Sequence, residues 1–358
     1  MRTKYYYIST MQGSSGICKY SKDFYDNVLK DQGYIFMDSA ESLIDILSAI
    51  SSKDHIHIEL GIFQEKEIEI LFTMLKANYR NISVTLHDPP LLRFPYYRFS
   101  NPFLNKIAKF YDIYINHFRA SRPWLNKIKY IYVLSLAGQQ LLREKYKIAH
   151  AHYLPHIVDP KEIEKGRVTN RNFIFFGFIG RNKGIEYALR LHQQLLVEQP
   201  GSHFYIIGEA LGREKEFFAY LQAKYQKNVH YFGYVEEGAL QEVFRQAGCA
   251  LLLFRDYKFF QPFSGSILYS LKLGKITFTN KVNAIPEIIK SGKTGFFLTG
   301  NLKKDLVMIK EVFQDPALLE SMQKEIQNYL LSHHSPAEVR KHLKTDMYAV
   351  LNPDRQLQ

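Results

Sequence analysis

Small residues in the second half of the sequence have the types and spacing expected of a phosphate-binding site. Ser264, Gly265 and Ser266 precede an apolar stretch that predicts a helix from Ile267 to Leu273. The first N–H groups of a helix lack intrahelical acceptors and lie at the positive end of its macrodipole, so they can bind an anion. The segment 284–287, Ala-Ile-Pro-Glu, predicts a second helix start, and two starts in succession indicate a site for a diphosphate. Taken alone, Ser264 to Ser266 favour the plainer interpretation of an ordinary helix N-cap.

A lysine is predicted to lie at the same edge of a sheet as this helix start. Lys183 belongs to the loop 180–184, which follows a predicted strand at 172–178 and precedes a predicted helix at 185–198. Open α/β sheets bind ligands at the carboxyl ends of their strands. We therefore expect Lys183 and the helix start at Ser264 to neutralise a phosphate from two sides.

His87 is the corresponding candidate in the first half of the sequence. It follows a predicted strand, Ile82 to Leu86, directly, and Asp88 and Pro89 come next. A neutral imidazole at this position could hydrogen-bond a substrate hydroxyl or a reacting group near physiological pH. The plainer interpretation is a loop histidine that caps backbone groups, and the sequence leaves both open.

Alternating strands and helices position these residues. The first unit of this kind is a strand at Lys4 to Ser9, a loop with Gly13 and Gly16, and a helix, without the G-x-G-x-x-G spacing of dinucleotide-binding proteins. The alternation predicts the α/β class with two doubly wound parallel sheets. A linker beginning near Asp159 separates them, so we predict domains at 1–160 and 171–330. A capping pattern at Ser335 predicts a last helix, 336–351, within a C-terminal segment 331–358.

Bulk composition favours a globular protein without a membrane span. The chain has 358 residues, of which 46% are hydrophobic and 23% charged, and this suits two domains of ordinary size. The two cysteines, Cys18 and Cys249, indicate neither a disulfide framework nor a zinc site. Histidines 150, 152 and 156 match no common metal signature, so we predict no bound metal. We find no signal peptide and no apolar run long enough to cross a bilayer, and we predict a cytoplasmic protein.

The formal net charge of +12 is concentrated in one segment, residues 91–147. This basic aromatic segment has eleven Lys or Arg against two acids, interleaved with tyrosines and phenylalanines. Such a composition suits an anionic membrane surface or lipid head groups, and it also suits a nucleic acid. A solvated basic face over a buried aromatic core would look the same.

Several motifs, taken in order, resemble glycosyltransferase family 4. No single motif decides the resemblance, which is strongest over 172–297 and covers most of the chain. The motifs are GSSGICKYSKDF, VTLHDPP, VLSLAGQQLL, GFIGRNKGIEYAL, YIIGEALG, VHYFGYVEEGALQEVFRQAGCALLLF and SGSILYSLKLGKITFTNKVNAIPEIIKSGKTGFF.

The resemblance implies the GT-B fold, with two Rossmann-like domains that face each other across a cleft and a last helix that crosses back to the first domain. It implies metal-free, retaining sugar transfer from a nucleoside diphosphate sugar of the UDP or GDP type, with no cofactor. The implied catalytic residues are His87, Lys183 and Arg181. The donor diphosphate would be bound by Gly16, Lys183, Ser264, Gly265 and Ser266. The donor sugar or nucleotide would be contacted by Gly208, Glu209, Tyr234, Val235, Tyr269 and Glu287.

The sequence departs from that family at two acidic positions. The pair of glutamates that flanks the helix falls at Gln261 and Tyr269, and the usual basic residue after the strand glycine falls at Phe178, so Arg181 is expected to supply that charge. The missing acids leave open how the donor sugar and ribose are held. Glu209, Asp256 and Tyr269 are the candidate substitutes.

The leading hypothesis is a glycosyltransferase of cell-surface polysaccharide or glycoconjugate assembly, which transfers sugar to a hydroxyl of a glycan or lipid-linked acceptor. The basic aromatic segment would contact an anionic membrane peripherally, on its inner face. The alternative is a catalytically degenerate binding subunit, motivated by the missing acidic pair. A nucleic-acid-binding protein ranks lower because no recognised nucleic-acid module is present, and no nucleic-acid partner is expected.

Overall fold

The chain divides into two units, each with its own parallel sheet. The computed structural model describes residues 3–11, 13, 15–62, 64–90, 101, 103–104, 106–107, 122–164, 170–257 and 261–344. Unit 1 comprises Met1–Asp159, Tyr257–Phe263 and His333–Gln358, and unit 2 comprises Pro160–Asp256 and Ser264–Ser332. Much of the basic aromatic segment lies outside the described residues.

Within its described part, unit 1 contains a sheet of six parallel strands in the order β2-β1-β3-β4-β5-β6. The strands are β1 (Tyr5–Ser9), β2 (Tyr34–Asp38), β3 (His55–Leu60), β4 (Ile82–Leu86), β5 (Tyr130–Val133) and β6 (Ala151–Tyr153). The helices are α1 (Gly16–Phe24), α2 (Leu43–Ala49), α3 (Glu65–Lys76), α4 (Arg122–Leu125), α5 (Leu136–Glu144) and α13 (Pro336–His342). The strand order reverses between β1 and β3, which makes the carboxyl ends of these strands a topological switch point.

The two faces of this sheet have different cores, because successive side chains of a strand point to opposite faces. Ile56 and Ile58 of β3 belong to a largely aliphatic cluster, whereas Tyr7 of β1 belongs to a cluster rich in aromatic rings. Val339 and Leu343, on and just after α13, are buried in the aromatic cluster. The last described helix of the chain therefore packs on unit 1, as the resemblance implied.

Over the described residues of unit 2, six parallel strands form a second sheet in the order β12-β11-β10-β7-β8-β9. The strands are β7 (Phe173–Phe176), β8 (Phe204–Ile207), β9 (Val229–Phe232), β10 (Cys249–Leu251), β11 (Ile276–Asn280) and β12 (Gly295–Leu298). The helices are α6 (Ile185–Leu195), α7 (Glu214–Lys224), α8 (Glu237–Arg245), α9 (Gly265–Lys272), α10 (Ile285–Ile288), α11 (Leu302–Gln314) and α12 (Pro316–His334). Here the order reverses between β7 and β10, so the loops after these two strands flank the second switch point.

The predicted fold class is confirmed, and the differences from the sequence predictions are local. Strands β2, β6 and β12 were not predicted. The last helix was predicted to reach Leu351 but ends at His342. Residues 345–351 of the predicted helix lie outside the described residues. The second predicted phosphate-binding helix start, α10, is a single turn of four residues. One turn aligns too few peptide dipoles to make an anion site, so the diphosphate argument depends on α9 alone.

Candidate functional site

The start of α9 is the predicted phosphate-binding element of unit 2. Ser264 has extended backbone angles, and its hydroxyl oxygen accepts a hydrogen bond from the backbone N–H of Ile267 at 3.4 Å. The backbone N–H groups of Gly265 and Ser266 lie in the first turn, where the helix offers no carbonyl four residues earlier as an acceptor. An external group can therefore accept their hydrogen bonds. Ser264 is thus an N-cap, and a capped start still leaves two backbone donors for an anion.

Two glycines allow this helix start to lie close to the end of the sheet. Gly177 directly follows β7, and a Cβ atom built on it would lie 3.9 Å from the Cβ and Oγ atoms of Ser266. Gly208 directly follows β8 with a φ of +144°, and a Cβ atom there would lie 1.9 Å from the carbonyl oxygen of Gly177. No side chain fits in that gap. The start of α9, Gly177 and Gly208 are therefore neighbours at the carboxyl ends of the strands.

A cavity opens beside Gly208. Its volume is about 300 Å³, and its lining residues are Gly208, Glu209, Ala210, Leu211, Lys215, Phe218 and Gly233. The predicted residues Gly208 and Glu209 lie in this lining, and Tyr234 and Val235 follow Gly233 directly. Tyr234 is 55% exposed. An exposed tyrosine and the Phe218 ring offer flat surfaces on which a heteroaromatic ring can stack.

Lys183 lies at the switch point of the unit 2 sheet. It belongs to a single turn, Arg181–Lys183, between β7 and α6, and its Nζ atom lies 4.7 Å from the ring centroid of Phe254. Phe254 follows β10 and is fixed by Asn280, whose side chain bonds both the N–H and the carbonyl of Phe254 at 2.8 and 2.6 Å. The ammonium group of Lys183 therefore lies over a fixed ring, and this contact restricts its position. We call Lys183, Gly177, Gly208 and the segment 264–266 the sheet-edge site.

Arg181, predicted to supply a second positive charge to the donor, has a carboxylate partner instead. Its guanidinium lies 3.3 Å from Glu214 Oε2 and 4.5 Å from the ring centroid of Phe217, both on α7. Its backbone N–H also donates to Glu214 Oε2 at 3.0 Å. The side chain thus holds the start of α7, and in this geometry Glu214 already compensates its charge.

Tyr269 occupies one of the two positions where an acid was expected. Its ring is 8% exposed and contacts the rings of Phe176 and Phe244, and its hydroxyl donates to Glu237 Oε1 at 3.1 Å. Burial, followed by the charge of Glu237, raises the pKa of Tyr269. Tyr269 is therefore a neutral donor that fixes a carboxylate at the start of α8. Glu237 was not predicted, because it is 32 residues away in sequence.

Glu287, which was predicted to contact the donor, and Gln261, where the family acid is missing, are not among the residues that line the cavity. Glu287 lies in the single turn α10, and its carbonyl oxygen accepts a hydrogen bond from Tyr329 at 3.2 Å. Gln261 belongs to unit 1, where its backbone N–H donates to the carbonyl of Pro89 at 3.0 Å.

His87 lies at the carboxyl end of β4, as predicted, and it has a buried acid as its partner. Its backbone N–H donates to Leu60, and its Nε2 atom lies 2.9 Å from Glu59 Oε2. Glu59 is fully buried on β3. Burial alone would raise the pKa of Glu59, but the hydrogen bonds from His57 and His87 outweigh it and lower this pKa to about 2. The carboxylate is therefore ionised at neutral pH.

The loop containing Gly16 approaches the same end of the sheet. Gly16 begins α1, and Ser15 caps the helix by accepting the N–H of Cys18 at 3.2 Å. A Cβ atom on Gly61, which follows β3, would lie 2.2 Å from Ile17 Cδ1 and 3.7 Å from Asp88 Oδ2. A glycine at 61 thus lets the start of α1 lie against the loop that carries His87.

The comparisons with known proteins agree with this architecture. Residues 159–329 match the model of the family described as glycosyl transferases group 1, a range that spans nearly all of unit 2. Unit 2 resembles the group 1 glycosyl transferases. The narrower assignment to family 4 stays a prediction. No curated protein matches the chain by sequence.

Solved structures of several proteins share the fold of both units. Anabaena HepE in complex with UDP and glucose is 12% identical with a TM-score of 0.71, over 95% of this chain and 98% of that one. Sucrose-phosphate synthase from Thermosynechococcus elongatus is 12% identical with a TM-score of 0.72, over 95% and 97%. S. aureus TarM, solved as a mutant with UDP, is 13% identical with a TM-score of 0.64 over 86% of this chain, which spans only 58% of TarM. At these identities the likeness shows a shared fold.

Two kinds of feature are absent from the described residues. No helix among them is long and apolar enough to cross a membrane. In the same residues, no group of three or more His, Cys, Asp or Glu side chains could hold a metal ion.

Proposed function

We propose that this chain is a retaining, metal-independent glycosyltransferase that moves a sugar from a nucleoside diphosphate sugar to an acceptor hydroxyl. One observation carries the proposal: in unit 2 the helix start at Ser264, the glycines 177 and 208 and the cavity lie next to one another at the carboxyl ends of the strands of a parallel sheet. A nucleoside diphosphate has matching parts, a flat base at one end and two phosphates at the other. The family match over this unit supports the same assignment.

The diphosphate is assigned to the sheet-edge site. The backbone N–H groups of Gly265 and Ser266 would donate to one phosphate, and Lys183 would compensate charge on the leaving group as its bond to the sugar breaks. The packing of Lys183 on Phe254 favours this role because it holds the ammonium close to one position before the donor arrives. Arg181 has a weaker claim because Glu214 neutralises it.

The nucleotide is assigned to the cavity of unit 2. Gly208, Glu209, Tyr234 and Val235 would contact the base and ribose. Tyr269 would act indirectly, by holding the Glu237 carboxylate as an acceptor for the ribose hydroxyls. This arrangement supplies an acid from α8 in place of the glutamate that the family resemblance places at position 269.

The reacting hydroxyl is assigned to unit 1, where His87 would bind it and Gly16 would lie near the sugar. We propose no carboxylate nucleophile, because Glu59 is fully buried and paired.

Retention is tested by NMR of the product: an anomeric proton with the same coupling constant as in the donor supports the proposal, and inversion overturns it. Full transfer after chelation of divalent metals is the expected result for metal independence.

Donor identity is tested by a thermal-shift screen with UDP, GDP, ADP and their sugars. A ligand that binds only the folded state raises the unfolding temperature, because it adds about 2.7 kcal/mol to the free energy of unfolding at a hundredfold excess over Kd. UDP is the first donor to test, because the HepE and TarM structures were solved with it. If no nucleotide shifts the transition, unit 2 is not a donor site.

The acceptor is proposed to be a glycan or lipid-linked hydroxyl in cell-surface polysaccharide or glycoconjugate assembly, reached by a cytoplasmic protein at the inner face of a membrane. The charge and aromatic content of residues 91–147 support an anionic lipid surface. Salt-sensitive sedimentation with anionic but not neutral liposomes is the expected result. Binding to RNA or DNA at matched ionic strength would favour the nucleic-acid alternative.

A degenerate binding subunit is the second candidate, and the residues at 261 and 269 favour it. Neither Gln261 nor Tyr269 is an acid, and Gln261 belongs to unit 1. A subunit of this kind would bind a nucleotide in the thermal-shift screen yet release no nucleoside diphosphate from any donor. Turnover of a donor by the purified chain excludes it.

A further inference from the structure

A column of buried polar side chains crosses the unit 1 sheet and ends at His87. Strands β1, β3 and β4 are in register, with Tyr7 opposite His57 and Glu59 opposite Thr85. Alternate residues of these strands therefore share one face, and the polar ones bond in series. The bonds of the column run from His55 through Ser83, His57 and Glu59 to His87, with Tyr7 and Thr85 at its sides.

Glu59 is the centre of this column. Its Oε1 atom accepts from the Tyr7 hydroxyl at 3.0 Å and from His57 Nε2 at 3.2 Å, while its Oε2 atom accepts from His87 Nε2 at 2.9 Å. Burying a carboxylate is costly, and apolar residues of similar volume often stabilise a core as well or better. Stability alone therefore does not explain an ionised side chain at this position.

The carboxylate determines which nitrogen of His87 has the proton. An ionised carboxylate only accepts hydrogen bonds, so Nε2 of His87 must be the N–H donor. In neutral imidazole the other nitrogen, Nδ1, is then an acceptor. Among the described residues no group bonds to Nδ1. The Tyr20 ring packs edge-on against His87, with centroids 4.8 Å apart, and this contact restricts the plane of the imidazole.

We propose that Glu59 is a positioning residue for His87: it holds the Nε2–H tautomer, so that Nδ1 accepts a hydrogen bond from a sugar hydroxyl. The use of Nδ1 rests on the proposed glycosyl transfer, but the tautomer does not. The Glu59 carboxylate also makes Nδ1 of His87 a stronger hydrogen-bond acceptor, because its negative charge increases the basicity of the ring. The outcome is an imidazole that cannot turn to its other tautomer without losing a buried charge-assisted hydrogen bond.

Glu59→Gln tests the proposal because it keeps the shape and removes the charge. Tyr7 and His57 both donate to the same oxygen of Glu59, so in the variant the carboxamide oxygen takes that position. The NH₂ group would then face His87 and donate to Nε2, which forces the proton to Nδ1. The variant is therefore expected to invert the tautomer of His87.

The measurement is long-range ¹H–¹⁵N correlation NMR of the full chain labelled with ¹⁵N-histidine, with the His87 signals identified by their loss in His87→Gln. We expect Nε2–H in the wild type and Nδ1–H in Glu59→Gln. We also expect kcat to fall about a hundredfold or more, the range of a misplaced acid–base group, while the UDP thermal shift stays unchanged. Ser83→Ala is the matched control: it removes the two hydrogen bonds that Ser83 makes to His55 and His57 in the same column but should keep the tautomer and stay within about threefold of wild-type turnover.

Each outcome decides the inference. An Nδ1–H signal in the wild type overturns it without any variant, even if Glu59→Gln fails to fold. A changed tautomer with full turnover also overturns the positioning role. If the wild type transfers no sugar but the tautomer changes as expected, the proposed function fails while the role of Glu59 in holding the tautomer stands.

Discussion

Replacing Gly208 by alanine is a perturbation whose cost can be estimated from the backbone of unit 2. The new Cβ atom would lie 1.9 Å from the carbonyl oxygen of Gly177, and the φ of +144° is one that residues with a Cβ atom rarely adopt. Backbone strain of this kind costs about 1–3 kcal/mol. Forcing an extra methyl group into a packed site costs about the same again. We therefore expect a loss of about 4 kcal/mol in the free energy of unfolding of unit 2, or roughly 10 °C in its unfolding temperature.

Two alanine variants serve as controls for the separate contributions. Gly212 has a φ of +54° but open space around its Cβ position, so Gly212→Ala should show the backbone strain alone, about 1 kcal/mol. Gly201 has open space and no positive φ, so Gly201→Ala should be close to neutral. The assay is urea unfolding followed by circular dichroism, with UDP binding measured on the folded variants. A loss for Gly208→Ala no larger than that for Gly212→Ala would refute the close approach of Gly177 and Gly208.

Three further predictions concern single side chains. Burial lowers the pKa of His192 to about 4, below its usual 6.5, so its contribution to stability is complete above pH 6.5 and is lost as the pH falls toward 4. His192→Gln should therefore abolish about 2 kcal/mol of the loss in unfolding free energy between pH 8 and pH 5, measured by chemical denaturation at both pH values, and an unchanged pH dependence would contradict this. Ser264→Ala should cost about 1 kcal/mol by chemical denaturation because the N-cap is lost. Ser264→Asp should keep the cap yet weaken UDP binding in calorimetry, and unchanged affinity would argue against a phosphate at α9. Tyr269→Phe removes one hydrogen bond to the Glu237 carboxylate and should raise the Kd for UDP about fivefold, the equivalent of that bond, with equal affinity counting against a ribose contact.

The sequence predicts most of the fold because the strands and helices are long or strongly patterned. Ile82 to Leu86 is a buried β-branched run, and the structure has a strand with the same bounds. Strand β6, Ala151–Tyr153, was missed because it has three residues and two of them are histidine and tyrosine. Its identity as a strand depends on pairing with β5, which the local sequence does not reveal.

The candidate site was predictable in position but not in its pairings. Lys183 and Ser264 were placed by loops that follow strands, which is a local property of the sequence. The partners of Arg181 and Tyr269, Glu214 and Glu237, lie 33 and 32 residues away, and only tertiary packing brings them together. Glu59 did leave a signal: in HIHIEL the polar residues 55, 57 and 59 alternate with isoleucine in a strand of a parallel sheet. Such sheets are buried on both faces, so an acid there needs a buried partner.

The turnover of a donor sugar by wild type and Lys183→Ala tests the central claim most directly. The assay measures release of nucleoside diphosphate and of the transferred sugar, with the donor taken from the thermal-shift screen. Lys303→Ala, at an exposed position on α11, is the control for loss of one positive charge. We predict that Lys183→Ala lowers kcat about a hundredfold or more while the control keeps wild-type turnover. Near-normal turnover in Lys183→Ala would contradict the assignment of the diphosphate to the sheet-edge site.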